Sequence, residues 1–185
     1  MDVLDIKRCR WANPKNELYI DYHDNEWGVL NLNDDYLFEM LILESFQAGL
    51  SWECVLNKRE SFRDAFDNFD LELVSNYDEN KILELLNNAK IIRNKLKINS
   101  AIINAKIFKN IQKDVGSFSK YICSFTNDEV VYETGKVSSS LSDGISNDLK
   151  KRGMKFVGPT VIYSYLQAIG IIYSHEEECY LYKRD

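Results

Sequence analysis

Proline and glycine are scarce in this chain, whose 185 residues include only two prolines and eight glycines. Both residue types interrupt helices, so their scarcity leaves long stretches free to be helical. Sustained apolar–polar alternation, which is typical of strands, is also missing, and apolar residues mostly recur at three- and four-residue spacing. The pattern predicts an all-α fold in a single domain that spans residues 1–185.

Long apolar runs are missing as well. None approaches the roughly 20 residues of a membrane-spanning helix, and the first residues, MDVLDIKRCRW, lack the layout of a secretory signal. We therefore expect a cytoplasmic protein with no membrane partner. The four cysteines are widely scattered, which in that compartment argues against a disulfide framework. Cys54 and Cys123 fall inside apolar helical patterns and are predicted to be core residues.

An overall excess of positive charge is absent, since the formal net charge is −6. Taken alone, that value argues against nucleic-acid binding. The distribution of charge points the other way, because residues 85–113 contain seven Lys or Arg and no acid, and residues 149–156 add four more. A one-signed face on an acidic protein indicates a phosphate-binding surface. A solvated helix face is the alternative that charge alone leaves open.

Capping residues divide the chain into helices. Asp34 is predicted to start a helix that Gly49 stops, and Ser51 to cap the next helix, with a break near Glu60. DENKILELLNNA and NKLKINSAIINAKIFKNIQ then form a pair of helices joined tightly at AKIIRN. A short helix near residues 114–123 and two helices after residue 140 complete the prediction.

Histidine is rare too, so the two histidines, His23 and His175, stand out. His175 lies four residues before Cys179, and Cys9 lies fourteen before His23, at the other end of the chain. Two cysteines and two histidines satisfy tetrahedral zinc and leave no open position for water, so such a site contributes stability rather than chemistry. Alternatively, His23 is a hydrogen-bonded surface residue and the cysteines fill the core.

Aromatic residues and one acid suggest a binding site near the N-terminus. All three tryptophans lie within the first 52 residues, and YIDYHDNEWG (19–28) crowds three rings and three acids together. Clustered aromatics are either core or the walls of a pocket. Glu44 falls on the apolar stripe of its helix, where an acid is seldom left unpaired. It is either a buried acid with a backbone, Arg or Lys partner, or a ligand reader.

Several long motifs occur in one order along the chain: RCRW, LYIDYHDNEWG, LFEMLILESFQAGLSWECVLNKRE, KFVG followed by YSYLQAIG, and HEEEC. Together they resemble the 3-methyladenine DNA glycosylase I family over nearly the whole chain. The resemblance implies a helix-hairpin-helix DNA glycosylase whose terminal segments are tied by one structural zinc ion. Its ligands would be Cys9, His23, His175 and Cys179, the four residues that the coordination argument proposes.

The resemblance also implies a pocket for the alkylated base. The residues implied to surround the base are Trp11, Tyr19, Tyr22 and Trp52, and Ser164 is predicted to add a polar contact. Trp27 is assigned mainly to packing. For Ser164, the alternative is a purely structural role inside its helix. The family pattern places its base-recognising glutamate at Glu44, which would accept from the exocyclic amine and favour the positive charge of the base. Glu44 is therefore the predicted catalytic residue, and whether it also orients the attacking water is left open.

Contacts with double-stranded DNA are predicted on two surfaces. Gly49 and Leu50 would form an apolar wedge between base steps, with a helix cap and a core leucine as the alternative. The residues predicted to contact phosphates are Lys90, Arg93, Lys95 and Lys155. Lys90 and Leu96 stand where the family usually has glycines in its hairpin, which is a departure from the pattern and bears on DNA affinity.

These observations predict a monomeric, monofunctional glycosylase that releases free 3-methyladenine from alkylated DNA and leaves an abasic site. The segment after the hairpin, KLKINSAIINAKIFKN, contains no acid, and its lysines are interpreted as phosphate partners, so no lyase activity is expected. A non-catalytic protein that binds alkylation lesions is the first alternative. A zinc hydrolase, which requires an open coordination position, is the second.

Overall fold

The computed structural model describes residues 6–183, and this part of the chain is mainly helical. The helices are α1 (Glu17–Asn25), α2 (Asp34–Gln47), α3 (Trp52–Leu56), α4 (Arg59–Ala65), α5 (Leu71–Ser75), α6 (Glu79–Asn87), α7 (Lys95–Val115), α8 (Phe118–Cys123), α9 (Ser140–Lys151) and α10 (Pro159–Ala168). Among the described residues, no helix is long and apolar enough to cross a membrane.

The helix starts follow the polar residues that precede them. Asn33 caps α2 by accepting hydrogen bonds from two backbone N–H groups, and Ser51 caps α3 as predicted. Asn94 caps the long helix α7 by accepting a hydrogen bond from Lys97 N. Two predicted boundaries are confirmed. The α2 helix ends at Gln47 with Ala48 as its C-cap, directly before Gly49, and the break between α3 and α4 falls at residues 57–58, close to Glu60.

Helix α2 is the centre of the molecule, with α3, α7, α8 and α10 packed around it. Every residue from Met40 to Phe46 in this helix is buried. A helix enclosed on several sides is apolar around most of its circumference, which explains why α2 has little amphipathic character. The one buried acid in that run, Glu44, is therefore held inside the molecule by the packing of its own helix.

A small parallel ribbon corrects the all-α prediction. Residues Val131–Tyr132 (β1) pair with Ile172–Tyr173 (β2). Two residues are too few to produce the alternation by which strands are recognised in a sequence. Cysteine burial also differs in part, because Cys123 is buried as predicted whereas Cys54 is only half-buried.

The segment after α10 crosses the segment after α1 at very short range. Gly28 N donates to Gln167 O at 3.1 Å, and Asn31 N donates to Ile169 O at 3.0 Å. Next to these hydrogen bonds, Gly170 has φ +78°, and a Cβ at this position would lie 2.3 Å from Leu30 N. Only glycine satisfies both the backbone angle and the close approach.

We expect Gly170→Ala to lower the free energy of unfolding by about 2–4 kcal/mol, because overpacking and a left-handed backbone both oppose the added methyl group. Urea denaturation measures the change. Gly144→Ala is the matched control, since Gly144 lies within α9 with no atom within 4 Å of its added Cβ. That control should be neutral or stabilising by up to about 1 kcal/mol; equal losses in both variants would contradict the steric argument.

Candidate active site and metal centre

A cavity of about 890 Å³ opens beside α1, α2, α3 and α10. The structure places all of the predicted base-contacting residues in its lining: Trp11, Tyr19, Tyr22, Glu44, Trp52 and Ser164. They come from segments that are up to 153 residues apart in the sequence (Trp11 to Ser164), so the tertiary fold assembles the cavity. Charged side chains, including Lys7 and Lys136, also line this space.

Aromatic rings form much of the cavity wall. Tyr22 and Trp52 are in contact, with ring centroids 5.3 Å apart, and both are buried. Trp11 packs against Tyr19 at 5.3 Å and, edge-on, against Trp27 at 4.8 Å. Trp27 lines the cavity too, and it supports Trp11 from behind, in line with its assignment to packing. Such walls suit a flat ring, and they attract a cation.

Glu44 presents a buried carboxyl without a partner. Only 3% of the residue is exposed, and its Oε2 accepts no hydrogen bond from any residue between 6 and 183. The interpretation of Glu44 as an acid paired with Arg or Lys is therefore wrong for the described part of the chain. Burial raises the pKa of Glu44 to about 8, so the carboxyl is largely protonated at neutral pH in the free protein.

The indole of Trp52 provides the complementary group. Its Nε1 is buried and donates to no acceptor in the described residues. Buried polar atoms are nearly always hydrogen-bonded in proteins, so an unused donor and an unused acceptor lining one cavity call for an explanation. A ligand that carries both an acceptor and a donor explains them together.

Two glutamines add to the polar part of the lining, and sequence reasoning missed both. Gln167 follows Ser164 by three residues on α10, and Gln47 follows Glu44 by three residues on α2. None of the side chains of Ser164, Gln167 and Gln47 forms a hydrogen bond within residues 6–183. Residues three apart share a helix face. That spacing could have identified the two glutamines once Glu44 and Ser164 were selected.

The α2–α3 turn (Gln47–Leu50) lies next to the cavity. Ala48 has φ −46° and ψ 114°, Gly49 has φ +81°, and Leu50 N donates to Gln47 O at 2.7 Å. These are the features of a type II turn, which needs glycine at its third position. Leu50 is 43% exposed, so the alternative of a core leucine is wrong. A Cβ on Gly49 would have no atom within 4 Å.

The predicted phosphate-binding residues are all exposed. Lys90 and Arg93 belong to the α6–α7 connection (residues 88–94), and Lys95 begins α7. Lys155 lies between α9 and α10, where Asn104 holds its backbone with two hydrogen bonds of 2.9 Å. Leu96, which replaces a glycine of the family pattern, is 71% exposed.

One lysine of this segment does not behave as predicted. Lys97 was interpreted with its neighbours as a phosphate partner, but only 6% of it is exposed. Its Nζ donates to Phe46 O at 2.8 Å and to Ala48 O at 2.6 Å. The ammonium is directed into the protein, toward the C-terminus of α2, because the third residue of α7 faces that helix.

The four proposed metal ligands form one buried group. The ligand atoms of Cys9, His23, His175 and Cys179 all lie within 4.8 Å of one another. Three of the separations are 3.5 Å: Cys9 Sγ to His175 Nδ1, Cys179 Sγ to His23 Nε2, and Cys179 Sγ to His175 Nδ1. Zinc bond lengths of 2.0–2.3 Å imply ligand separations of roughly 3.5 Å in a tetrahedron. The donor set and its spacing therefore fit a metal ion.

Neighbouring groups orient these ligands. His23 Nδ1 contacts Asp24 Oδ1 at 2.7 Å, and Asp24 also accepts from the Arg8 guanidinium. A carboxylate behind a histidine is the usual arrangement at metal sites. His175 and Cys179 are brought together by a turn, closed by Cys179 N donating to Glu176 O at 2.8 Å. The group lies directly behind the cavity, since Trp27 packs on His175 at 4.7 Å.

Fold and cavity together are those of a helical DNA glycosylase. A crystal structure of 3-methyladenine DNA glycosylase I matches with a TM-score of 0.91 and 39% identity, covering 96% of this chain and all of that one. A structure that addresses 3-methyladenine recognition by the Staphylococcus aureus protein matches with a TM-score of 0.90 and 30% identity, covering 96% of this chain and 98% of that one.

The sequence identifies the family more narrowly. A model of the methyladenine glycosylase family matches residues 11–182. The DNA-3-methyladenine glycosylase 1 of Escherichia coli is 42% identical over 183 residues, which cover 96% of this chain and 97% of that protein. The chain belongs to the methyladenine glycosylase family, as its motifs had suggested.

Proposed function

We propose that this protein hydrolyses the N-glycosidic bond of 3-methyladenine in double-stranded alkylated DNA, releasing the free base and leaving an abasic site. The observation that carries the proposal is the unpaired carboxyl of Glu44 inside an aromatic cavity. The names of the relatives support the same activity. Membership of the family and the chemistry of the cavity thus agree on one substrate class.

The electric character of the base explains why such a cavity suits it. In DNA, 3-methyladenine carries a delocalised positive charge, and its glycosidic bond is already weak. Selective binding of the cation and stabilisation of the departing base therefore supply much of the catalysis. Tyr22 and Trp52 stack with the base, at roughly 1–3 kcal/mol each. Glu44 accepts from its exocyclic amine and favours its charge, and Trp11, Tyr19 and Ser164 complete the contacts.

The base has to leave the stack before it enters the cavity, which costs a few kcal/mol. We assign this step to the α2–α3 turn, where exposed Leu50 fills the space left in the duplex and Gly49 allows close approach. Phosphates on the same duplex are held by Lys90, Arg93, Lys95 and Lys155. The α6–α7 connection, which lies between two packed helices, is the hairpin of this proposal.

Two further properties follow from the ion pairs and the metal group. Lys7 and Lys136, the lysines that line the cavity, form ion pairs with Glu178 and Glu133. We infer that neither amine is free to attack an abasic sugar, and that the protein is monofunctional, without lyase activity. The buried Cys2His2 group is proposed to hold one structural zinc ion, which would contribute stability. Its four ligands leave no open position, against the zinc hydrolase alternative.

The remaining assignments concern organisation. We propose one domain that acts as a monomer, since one chain supplies every group of the cavity. The four cysteines are free, which suits a reducing compartment such as the cytoplasm.

Chromatography of the bases released from methylated duplex DNA tests the proposed activity. We expect free 3-methyladenine to appear with time, and the strand to be cut only after alkali treatment converts the abasic site. Duplex that was not methylated is the control and should release no base. Tight binding to the methylated duplex without any release would instead favour the non-catalytic lesion binder.

A further inference from the structure

The last carbonyl groups of α2 are held in place by a residue of another helix. Lys97 Nζ donates to Phe46 O and to Ala48 O, while Gln47 O accepts from Leu50 N. Three successive carbonyls are therefore satisfied, two of them by a single ammonium group. Carbonyls at a helix C-terminus have no partner in their own helix, so each such contact fixes the direction in which the chain leaves it.

A positive charge is well placed at this point. The C-terminus of a helix carries partial negative charge, and α2 has no basic residue in its own last turn. Burial lowers the pKa of Lys97, because the charged form is less well solvated there, and the ring of Phe156 lies 5.9 Å from Nζ. Burying an ammonium without a carboxylate partner is costly. The two hydrogen bonds to Phe46 O and Ala48 O offset part of this cost and give the buried ammonium a specific structural role.

Lys97 also lies next to the proposed phosphate-binding surface. It is the third residue of α7, and its backbone N–H donates to Asn94, the residue that caps α7. The exposed Lys95 lies two residues earlier. One side chain thus connects the first turn of α7, on the phosphate-binding surface, with the turn that presents Leu50.

We propose that Lys97 is a positioning residue that fixes the α2–α3 turn against the start of α7, so that Leu50 and the phosphate-binding surface engage the duplex in one geometry. The inference rests on the proposed function. It assigns to Lys97 no contact with DNA or with the base. Its loss should impair extrusion of the base from the duplex and leave binding of the free base unchanged.

Lys97→Met tests the assignment, because methionine keeps the length and apolar stem and removes the donor. We expect kcat/KM for release of 3-methyladenine from duplex DNA to fall about 10–100-fold, the scale of an error of about 1 Å in positioning. The Kd for free 3-methyladenine, followed by tryptophan fluorescence, should stay within about twofold of the wild type. A weakened Kd for the free base would overturn the assignment, since Lys97 would then support the cavity itself.

Lys95→Met is the matched comparison, an exposed lysine in the same helical turn. Log K for binding to an abasic duplex falls linearly as the logarithm of the salt concentration rises. Because Lys95→Met loses a phosphate contact, the slope of that line should become shallower by about one unit. Lys97→Met should weaken binding to that duplex without changing the salt dependence. A reduced salt dependence in Lys97→Met would identify it as an ordinary phosphate contact and overturn the inference.

A double-mutant cycle with Leu50→Ala decides whether Lys97 acts through the turn. If it does, kcat/KM of the double variant should be little lower than that of the more impaired single variant, because both substitutions remove the same function. If the two fold-losses in kcat/KM multiply in the double variant, the proposal is overturned. Should Lys97→Met fail to fold, Lys97→Gln, which keeps an N–H donor, enters the same cycle. Wild-type protein is run alongside, so absence of base release by the wild type would refute the proposed function rather than this inference.

Discussion

Replacing Glu44 with glutamine is expected to reduce kcat/KM for 3-methyladenine release by roughly 10²-fold, the scale on which removal of one preorganised electrostatic group acts. Glutamine keeps the shape of the side chain and an acceptor oxygen but cannot carry negative charge. The carboxyl has no hydrogen-bond partner among residues 6–183, so the substitution breaks no described contact. Single-turnover excision from methylated duplex measures the change.

The control for this variant must remove one negative charge elsewhere, because the net charge alone affects attraction to DNA. Glu129→Gln meets that need, since Glu129 is exposed and does not line the cavity. It should leave excision within about twofold of the wild type, as exposed charges in water have small effects. Similar excision rates for Glu44→Gln and the wild type would contradict the assignment of Glu44.

The pH dependence provides a second measurement of the same role. The ionised carboxyl is the form that favours a cation, and burial raises its pKa to about 8. Because kcat/KM reports ionisations of the free enzyme, it should rise with pH up to about 8 in the wild type. Glu44→Gln should lack this rise. Tyr19 and Tyr22 contribute nothing in this range, since burial raises the pKa of Tyr19 to about 12 and that of Tyr22 well above 10.

The stability of the fold should show the opposite trend with pH. The pKa of Glu44 is about 4.5 in the unfolded chain and about 8 in the folded protein, so between these values only the folded protein keeps the proton. This group therefore makes the free energy of unfolding fall as pH rises through that window, by up to about 1.4 kcal/mol per pH unit. Glu44→Gln should remove this pH dependence. Relative to the wild type, the free energy of unfolding of the variant should therefore be higher above pH 8 than at low pH.

Rare residue types made part of the site predictable from the sequence. With only two histidines in the chain, the pairing of His23 and His175 with two cysteines was among few possible sets, and the fold brings these four together. Glu44 could be selected because an acid on an apolar helix stripe is uncommon. In both cases, the residue type is so unusual for its position that a special role can be predicted without knowledge of its neighbours.

The partners of common residues could not be predicted in this way. Lys97 belongs to a basic segment, and periodicity does not state which helix its side chain faces or that its charge ends on two carbonyls. The need for glycine at 170 arises from a backbone 140 residues earlier, at Leu30. Contacts of this kind depend on tertiary packing, which local patterns do not contain.

Loss of the proposed metal ion is expected to produce the largest change in stability. Cys179→Ala removes one of four buried ligands, and structural zinc contributes roughly 10 kcal/mol or more to small folded sites. Because the larger helical core remains, we expect the free energy of unfolding to fall by about 3–5 kcal/mol and the bound metal to drop from one ion per chain to none. Urea denaturation and elemental analysis measure these two quantities.

Cys54→Ala is the matched control, because Cys54 is half-buried and lies outside the metal-binding group. This variant should keep its metal, and its free energy of unfolding should fall by less than about 1 kcal/mol, since only a small, partly exposed side chain is shortened. A strong chelator should then destabilise the wild type and Cys54→Ala alike, and leave Cys179→Ala unaffected. If the cysteines were only core fillers, both substitutions would retain the metal content of the wild type and the chelator would change nothing. The metal measurement therefore separates coordination from packing even where the losses in stability are similar.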